Sequence, residues 1–263
     1  MTIRVGVFGA AGRMGATVCE AVAADPELEL VAAVDPHKAG LDLRDAIGVD
    51  VHGVRVAPDA GALADADAQV AVDFTHLDAA RANLRWCSEH RVHAVVGTTG
   101  FGDDDYAELT ASFTESNCIV APNFAVGAVL MMRFAELAAP WFETAEIIEL
   151  HHDQKIDAPS GTAMMTARLM AEASAEWGAD PTTKLVVEGA RGGAGPAGIR
   201  VHSVRLLGLV AHQEVLLGTA GQSLSIRHDT YDRTSFMPGV LLAVKAVADH
   251  PGLTVGLDRV LGV

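Results

Sequence analysis

Gly9-Ala10-Ala11-Gly12-Arg13-Met14-Gly15 stands between an apolar run at residues 3–9 and an amphipathic stretch at 14–24. The run reads as a strand and the stretch, closed before Pro26, as a helix, so the glycines occupy a strand-to-helix turn. Glycines there permit a tight bend and let backbone approach an anion that the helix N-terminus attracts. The spacing is G-x-x-G-x-x-G, not the commoner G-x-G-x-x-G, and a glycine-rich turn also serves plain geometry. A second strand, 28–35, ends in Asp35, 20 residues beyond Gly15, where a carboxylate accepts hydrogen bonds from ribose hydroxyls. Alone, Asp35 before Pro36 is a turn residue. Together with the loop and the first strand it makes dinucleotide binding the preferred reading.

Outward from this loop the alternation continues, with strands at 70–75, 92–98 and 118–122 and helices at 77–90 and 103–116. Near-continuous apolar strands separated by helices form a parallel sheet covered on both faces. The expected fold is α/β, a doubly wound Rossmann-type domain. After Phe124 the pattern changes. A helix at 126–142 leads to a strand at 146–152, a Pro-bearing turn, a helix at 161–177 and three β segments at 201–207, 211–217 and 222–229, with a glycine-rich loop at 189–198. Consecutive strands with short turns give an α+β domain with a mixed sheet. A last helix at 236–249 and the apolar stretch 253–261 are expected to return to the first domain. The expected division is 1–124 with 235–263, and 125–234.

Composition narrows the function. Of 263 residues half are apolar, enough for a sizeable core, and no run approaches the roughly 18 apolar residues of a membrane span. The N-terminus enters a strand directly without a signal-peptide layout, so a cytoplasmic location is expected. A net charge of −15 argues against a nucleic-acid partner, though a small anionic ligand responds to local charge. Cys19, Cys87 and Cys118 form no C-x-x-C pair, so neither a disulfide framework nor a cysteine zinc site is expected.

The densest chemistry lies in Glu149-Leu150-His151-His152-Asp153-Gln154-Lys155-Ile156-Asp157-Ala158-Pro159-Ser160-Gly161-Thr162. Histidines and a lysine at a strand end are groups able to deliver protons near neutral pH. Ser160 is a good N-cap, and the amides of Gly161 and Thr162 at the positive end of the helix dipole make a carboxylate site, with Lys155 as a mobile point charge beside it. Adjacent histidines on a strand point to opposite faces, so a metal cluster is not expected. His202, His212 and His228 fall in strands and read as sheet residues. Cys118 reads as core, and Met131-Met132 and Met164-Met165 as helix packing.

These residues resemble the 4-hydroxy-tetrahydrodipicolinate (dihydrodipicolinate) reductase family. Gly9–Gly15 is similar to its glycine loop, Gly97-Thr98-Thr99-Gly100-Phe101 to a strand-end loop, and Ala121-Pro122-Asn123-Phe124 to the segment joining its two domains. Residues 149–162 match its signature E-x-H-H-x-x-K-x-D-A-P-S-G-T at every fixed position, and the similarity continues through 205–215 and 227–242. The resemblance implies NAD(P)H-dependent reduction of a cyclic dicarboxylate in lysine and diaminopimelate biosynthesis. It implies a cofactor site of Gly9, Ala10, Ala11, Gly12, Arg13, Met14, Asp35, Gly97, Thr98, Thr99, Ala121, Pro122, Asn123 and Phe124. It further implies His151 as proton donor or acceptor, Lys155 as proton donor, and substrate carboxylates held by His152, Lys155, Gly161 and Thr162, at the helix start that Ser160 caps. A homotetramer built through the β-rich domain is also implied.

Cofactor preference stays open. Asp35 repels a 2′-phosphate and favours NADH, whereas Arg13, His37 and Lys38 are nearby cations that suit NADPH. Ala11 stands where some relatives carry lysine, which removes one phosphate contact. Two rivals remain, another two-domain dehydrogenase acting on hydroxy or aldehyde substrates and a redox sensor that binds NADH without turnover.

Overall fold

The computed structural model describes residues 2–51, 53–174 and 176–263. In chain order the first strands are β1 (Ile3–Phe8), β2 (Leu28–Val34), β3 (Val56–Ala57), β4 (Val70–Asp73), β5 (His93–Val96) and β6 (Cys118–Val120). Among them lie helices α1 (Arg13–Ala24), α2 (Leu43–Ile47), α3 (Gly61–Asp65), α4 (Leu77–Glu89) and α5 (Asp103–Ser112). Then come α6 (Val126–Ala138), β7 (Thr144–His151), α7 (Gly161–Ala173), β8 (Gly193–Ala194), β9 (Arg200–Arg205), β10 (Ala211–Thr219) and β11 (Gln222–Thr230). The chain closes with α8 (Met237–Ala246), β12 (Leu253–Val255) and α9 (Asp258–Leu261). It divides into two compact units, Met1–Phe124 with Phe236–Gly262, and Ala125–Ser235 with Val263.

The first unit holds a seven-stranded parallel sheet in the order β12-β6-β5-β4-β1-β2-β3. Apart from β12 this is the doubly wound order 3-2-1-4-5-6, whose direction reverses between β1 and β4. Val5, Val7 and Phe8 are buried along β1, and α1 covers the sheet with Gly15, Val18, Cys19 and Val22, spaced one helical stripe apart. The stretch at 253–261 does return here, and its first residues become β12, a seventh strand beside β6. Residues 36–69, which carry little periodicity, form α2, β3 and α3.

The second unit is a mixed five-stranded sheet, β11-β10-β7-β9-β8, in which β7 and β9 run parallel and the other neighbours antiparallel. Ile147, Val201, Val215 and Leu217 on one face pack against Met131 and Ala135 of α6 and Ala167 and Met170 of α7. Besides α5, which ends at Ser112 rather than at 116, two helices of this unit stop earlier than periodicity suggests. The 126–142 stretch is α-helical only to Ala138, where Pro140 imposes a 3₁₀ turn, and α7 ends at Ala173 rather than at 177, while residue 175 lies outside the described residues. His202, His212 and His228 do lie in strands, but each is tied to a polar partner: Glu146, Asp229 and Thr230. Cys118 is fully buried in β6, and burial pushes the Cys19 thiol up to about 12. Among the described residues no helix is long and apolar enough to cross a membrane, and no group of three His, Cys, Asp or Glu side chains is placed to hold a metal ion.

Candidate active site

In the first unit, Gly9 turns the chain with φ +65°, and α1 starts at Arg13 behind Gly12, with no side chain capping it. The first intrahelical bond runs from the Ala16 amide to the Gly12 carbonyl, so the amides of residues 13–15 precede any helical acceptor. A Cβ on Gly15 would lie 2.0 Å from the Gly9 carbonyl oxygen, so helix and loop touch backbone to backbone. That close approach, on an uncapped helix after the first strand and beside the strand-order reversal, is the cradle a pyrophosphate requires, and the residues fit a dinucleotide.

Asp35, 7% exposed, does more than end a strand. Its Oδ2 accepts the Ala11 amide at 3.1 Å and its Oδ1 the His37 amide at 3.0 Å, so it braces the glycine loop as well as its own turn. Of the three cations nearby in sequence, Lys38 donates to the Ala46 carbonyl at 2.8 Å, while Arg13 and His37 are exposed.

Asp73 at the end of β4, which sequence reasoning passed over, organises the neighbouring strand ends. It is buried, and its Oδ1 accepts the Thr75 amide at 2.8 Å, the Thr75 hydroxyl at 2.7 Å and the Thr98 hydroxyl at 3.1 Å, while Oδ2 accepts from Asn83 Nδ2 at 2.7 Å. The network fixes the Gly97–Thr99 loop from beneath; a Cβ on Gly97 would lie 2.0 Å from the Phe74 ring. Phe74 in turn packs at 5.7 Å against Phe124. Ala10, Ala121 and Phe124 are buried, so they shape this end of the sheet by packing, whereas Thr99 and Pro122 are exposed and Met14 and Asn123 half-buried.

The second unit gathers the other predicted residues at the end of β7. Side chains two apart share a sheet face, so Ile147, Glu149 and His151 run from the core toward the strand end. Glu149 is fully buried. Arg205 grips it bidentately, NH1 to Oε2 at 2.8 Å and NH2 to Oε1 at 2.9 Å, and the Ser160 amide donates to Oε1 at 3.2 Å. His151 Nδ1 lies 2.5 Å from Oε2. Burial works against the Glu149 charge, but the Arg205, Ser203 and His151 hydrogen bonds outweigh it and hold the carboxyl below its usual range. Burial also lowers the His151 pKa, against the opposing pull of Glu149.

Ser160, 3% exposed, caps α7: its Oγ accepts the Ala163 amide at 3.2 Å and its carbonyl the Met164 amide at 3.0 Å. The amides of Gly161 and Thr162 remain as the first donors of the helix, and Gly161 has open space where a side chain would stand. Lys155 Nζ sits 2.8 and 2.9 Å from the two Asp157 oxygens, and the Asp157 carbonyl accepts Arg205 NH2 at 2.6 Å. The lysine is thus held in an ion pair rather than swinging free. His152 is exposed on the turn.

Family models described as "Dihydrodipicolinate reductase, N-terminus" and "Dihydrodipicolinate reductase, C-terminus" match residues 3–124 and 127–261. The chain belongs to the dihydrodipicolinate reductase family. It is 51% identical to the 4-hydroxy-tetrahydrodipicolinate reductase of Cutibacterium acnes over 99% of both chains. The enzyme of the same name from Nocardia farcinica is also 51% identical, again over 99% of each. A dipicolinate-bound dihydrodipicolinate reductase from Paenisporosarcina sp. TG-14 matches with a TM-score of 0.88 at 42% identity, covering 98% of this chain and 99% of that one. The N-terminal unit is accordingly the NAD(P)H-binding domain of an oxidoreductase that acts on a small molecule. Glu149 and Asp73 had signals in the sequence, each an acid inside an apolar strand, whereas Arg205 was marked only as the first residue of the 205–215 stretch of family similarity.

Proposed function

We propose that this chain reduces 4-hydroxy-tetrahydrodipicolinate to tetrahydrodipicolinate, with protonation and loss of water, in lysine and diaminopimelate biosynthesis. The observation that carries it is the β7–α7 segment. A histidine backed by a buried carboxylate, an ion-paired lysine and two helix-start amides lie along one short stretch, in a chain whose relatives bear that enzyme's name. The bound nicotinamide supplies the hydride. The rest is the work of the protein. His151, with Nδ1 engaged by Glu149, gives and takes the proton at Nε2. Lys155 is a second proton donor and a charge for a carboxylate. The Gly161 and Thr162 amides and the exposed His152 hold a carboxylate against the α7 dipole, and Ser160 keeps that helix end in shape. The decisive assay is loss of NADH absorbance when the protein meets freshly made substrate; turnover of sugars or aldehydes instead would favour a different dehydrogenase.

Both NADH and NADPH serve, with NADH favoured. Gly9–Met14, Asp35, Gly97–Thr99 and Ala121–Phe124 line the cofactor site. Asp35 receives ribose hydroxyls and repels a 2′-phosphate, which Arg13 and His37 partly offset. Asp35→Ala is expected to weaken NADH more than NADPH. Loss of the Ala11 brace affects both cofactors alike, so the informative quantity is the ratio of the two affinities from parallel titrations. An unchanged ratio would assign Asp35 to the loop alone.

The active species is a homotetramer assembled through the second unit. Ile148, Leu150, Val204 and Leu216 are on the sheet face turned away from α6 and α7, half-buried in the single chain, and β11 leaves an exposed edge. Light scattering at assay concentration should return four chain masses. A monomer would contradict the assembly without touching the chemistry.

A further inference from the structure

Glu149 opens the family signature, yet nothing in the mechanism above uses it beyond its contact with His151. Each of its oxygens is enclosed by donors. Oε2 faces His151 Nδ1 and Arg205 NH1, and Oε1 faces Arg205 NH2 and the Ser160 amide. A carboxylate satisfies these donors together with Ser203; no neutral isostere does, because one end of an amide is itself a donor. Arg205 comes from β9 beside β7, where it pairs in register with His151, and it also binds the Asp157 carbonyl in the Lys155 turn. The one guanidinium therefore holds together the strand carrying the histidine and the turn carrying the lysine.

We infer that Glu149 is a positioning residue, locked by Arg205, that keeps the proton of neutral His151 on Nδ1 and so confines acid–base exchange to Nε2. The inference rests on the reading of His151 as the acid–base group. The charged groups that act on the imidazole are Glu149 from its own strand, Arg205 from β9 and Lys155 from the following turn, with Asp157 offsetting the lysine. Arg205 and Lys155 disfavour the imidazolium, and Glu149 is the group that favours it.

The first test uses the wild-type protein. Nitrogen-15 spectra of the imidazoles, with His151 assigned by comparison with His151→Gln, should place the proton of its neutral form on Nδ1. A neutral form protonated on Nε2 would overturn the inference. This readout needs no turnover, and Glu149 and Arg205 are left intact in it, so it is separable from failure of the functional proposal. The second test is Glu149→Gln. An acid works in its protonated form, so activity is lost as pH rises through its pKa. Removing a nearby carboxylate lowers that pKa, and the basic limb of kcat/KM should move to lower pH by about one unit or more. At neutral pH kcat should fall roughly tenfold, while KM changes much less, because the carboxylate touches no substrate. A purely structural role would lower melting temperature and leave the limb in place, and that result would sink the proposal.

Discussion

Replacing His151 by glutamine is expected to lower kcat by roughly a hundredfold or more, the usual scale for losing a general acid. Glutamine matches much of the size of the imidazole and can still donate toward Glu149, so the β7 end should keep its shape, but it cannot release a proton near neutral pH. The Glu149–Arg205 pair is the part that breaking would threaten the fold, and it stays intact. Melting temperature should therefore change little, and NADH affinity should be close to that of the parent, since the glycine loop belongs to the other unit. Steady-state kinetics with a parallel NADH titration checks this. Turnover near that of the wild type would remove His151 from the chemistry and return the search to Lys155.

Lys155→Ala is expected to weaken binding of pyridine-2,6-dicarboxylate, measured by calorimetry with NADH present, by about tenfold to a hundredfold. That corresponds to one charge-assisted hydrogen bond of about 1.5–3 kcal/mol. Two effects act together. The ammonium is lost as a donor, and Asp157, whose carboxyl Lys155 holds below its usual range, is left as an uncompensated anion near an anionic ligand. Lys155→Arg should not restore affinity, because a planar fork paired with Asp157 does not reproduce a compact ammonium. Undiminished affinity in Lys155→Ala would place the carboxylate site elsewhere and weaken the substrate assignment with it. The same variant should leave the Glu149–Arg205 bonds in place, since Arg205 NH2 meets the Lys155 turn at the Asp157 backbone carbonyl, which the substitution keeps.

What the sequence alone determined was local. Strand and helix periodicities identified the doubly wound first domain, because near-continuous apolar strands must be covered on both faces. The glycine loop could be read because close backbone approach excludes a Cβ, a demand that leaves its mark at Gly15 itself. The α7 cap was legible because Ser160 bonds its own third neighbour. Residues that act over a few positions write their roles into spacing. Tertiary structure decided what depends on distant partners. Asp35 looked like a ribose ligand or a turn residue, and only folding brought the Ala11 amide onto it. Asp73 became a hub when β4 and β5 set Thr98 beside it. Lys155 acquired a fixed partner where sequence suggested a mobile charge. Arg205 reaches Glu149 from 56 residues away, on a strand whose register beside β7 no local pattern specifies. A buried carboxylate is tolerable only when such a partner arrives, so the sequence could show the acid in the strand but not the guanidinium that keeps it charged there.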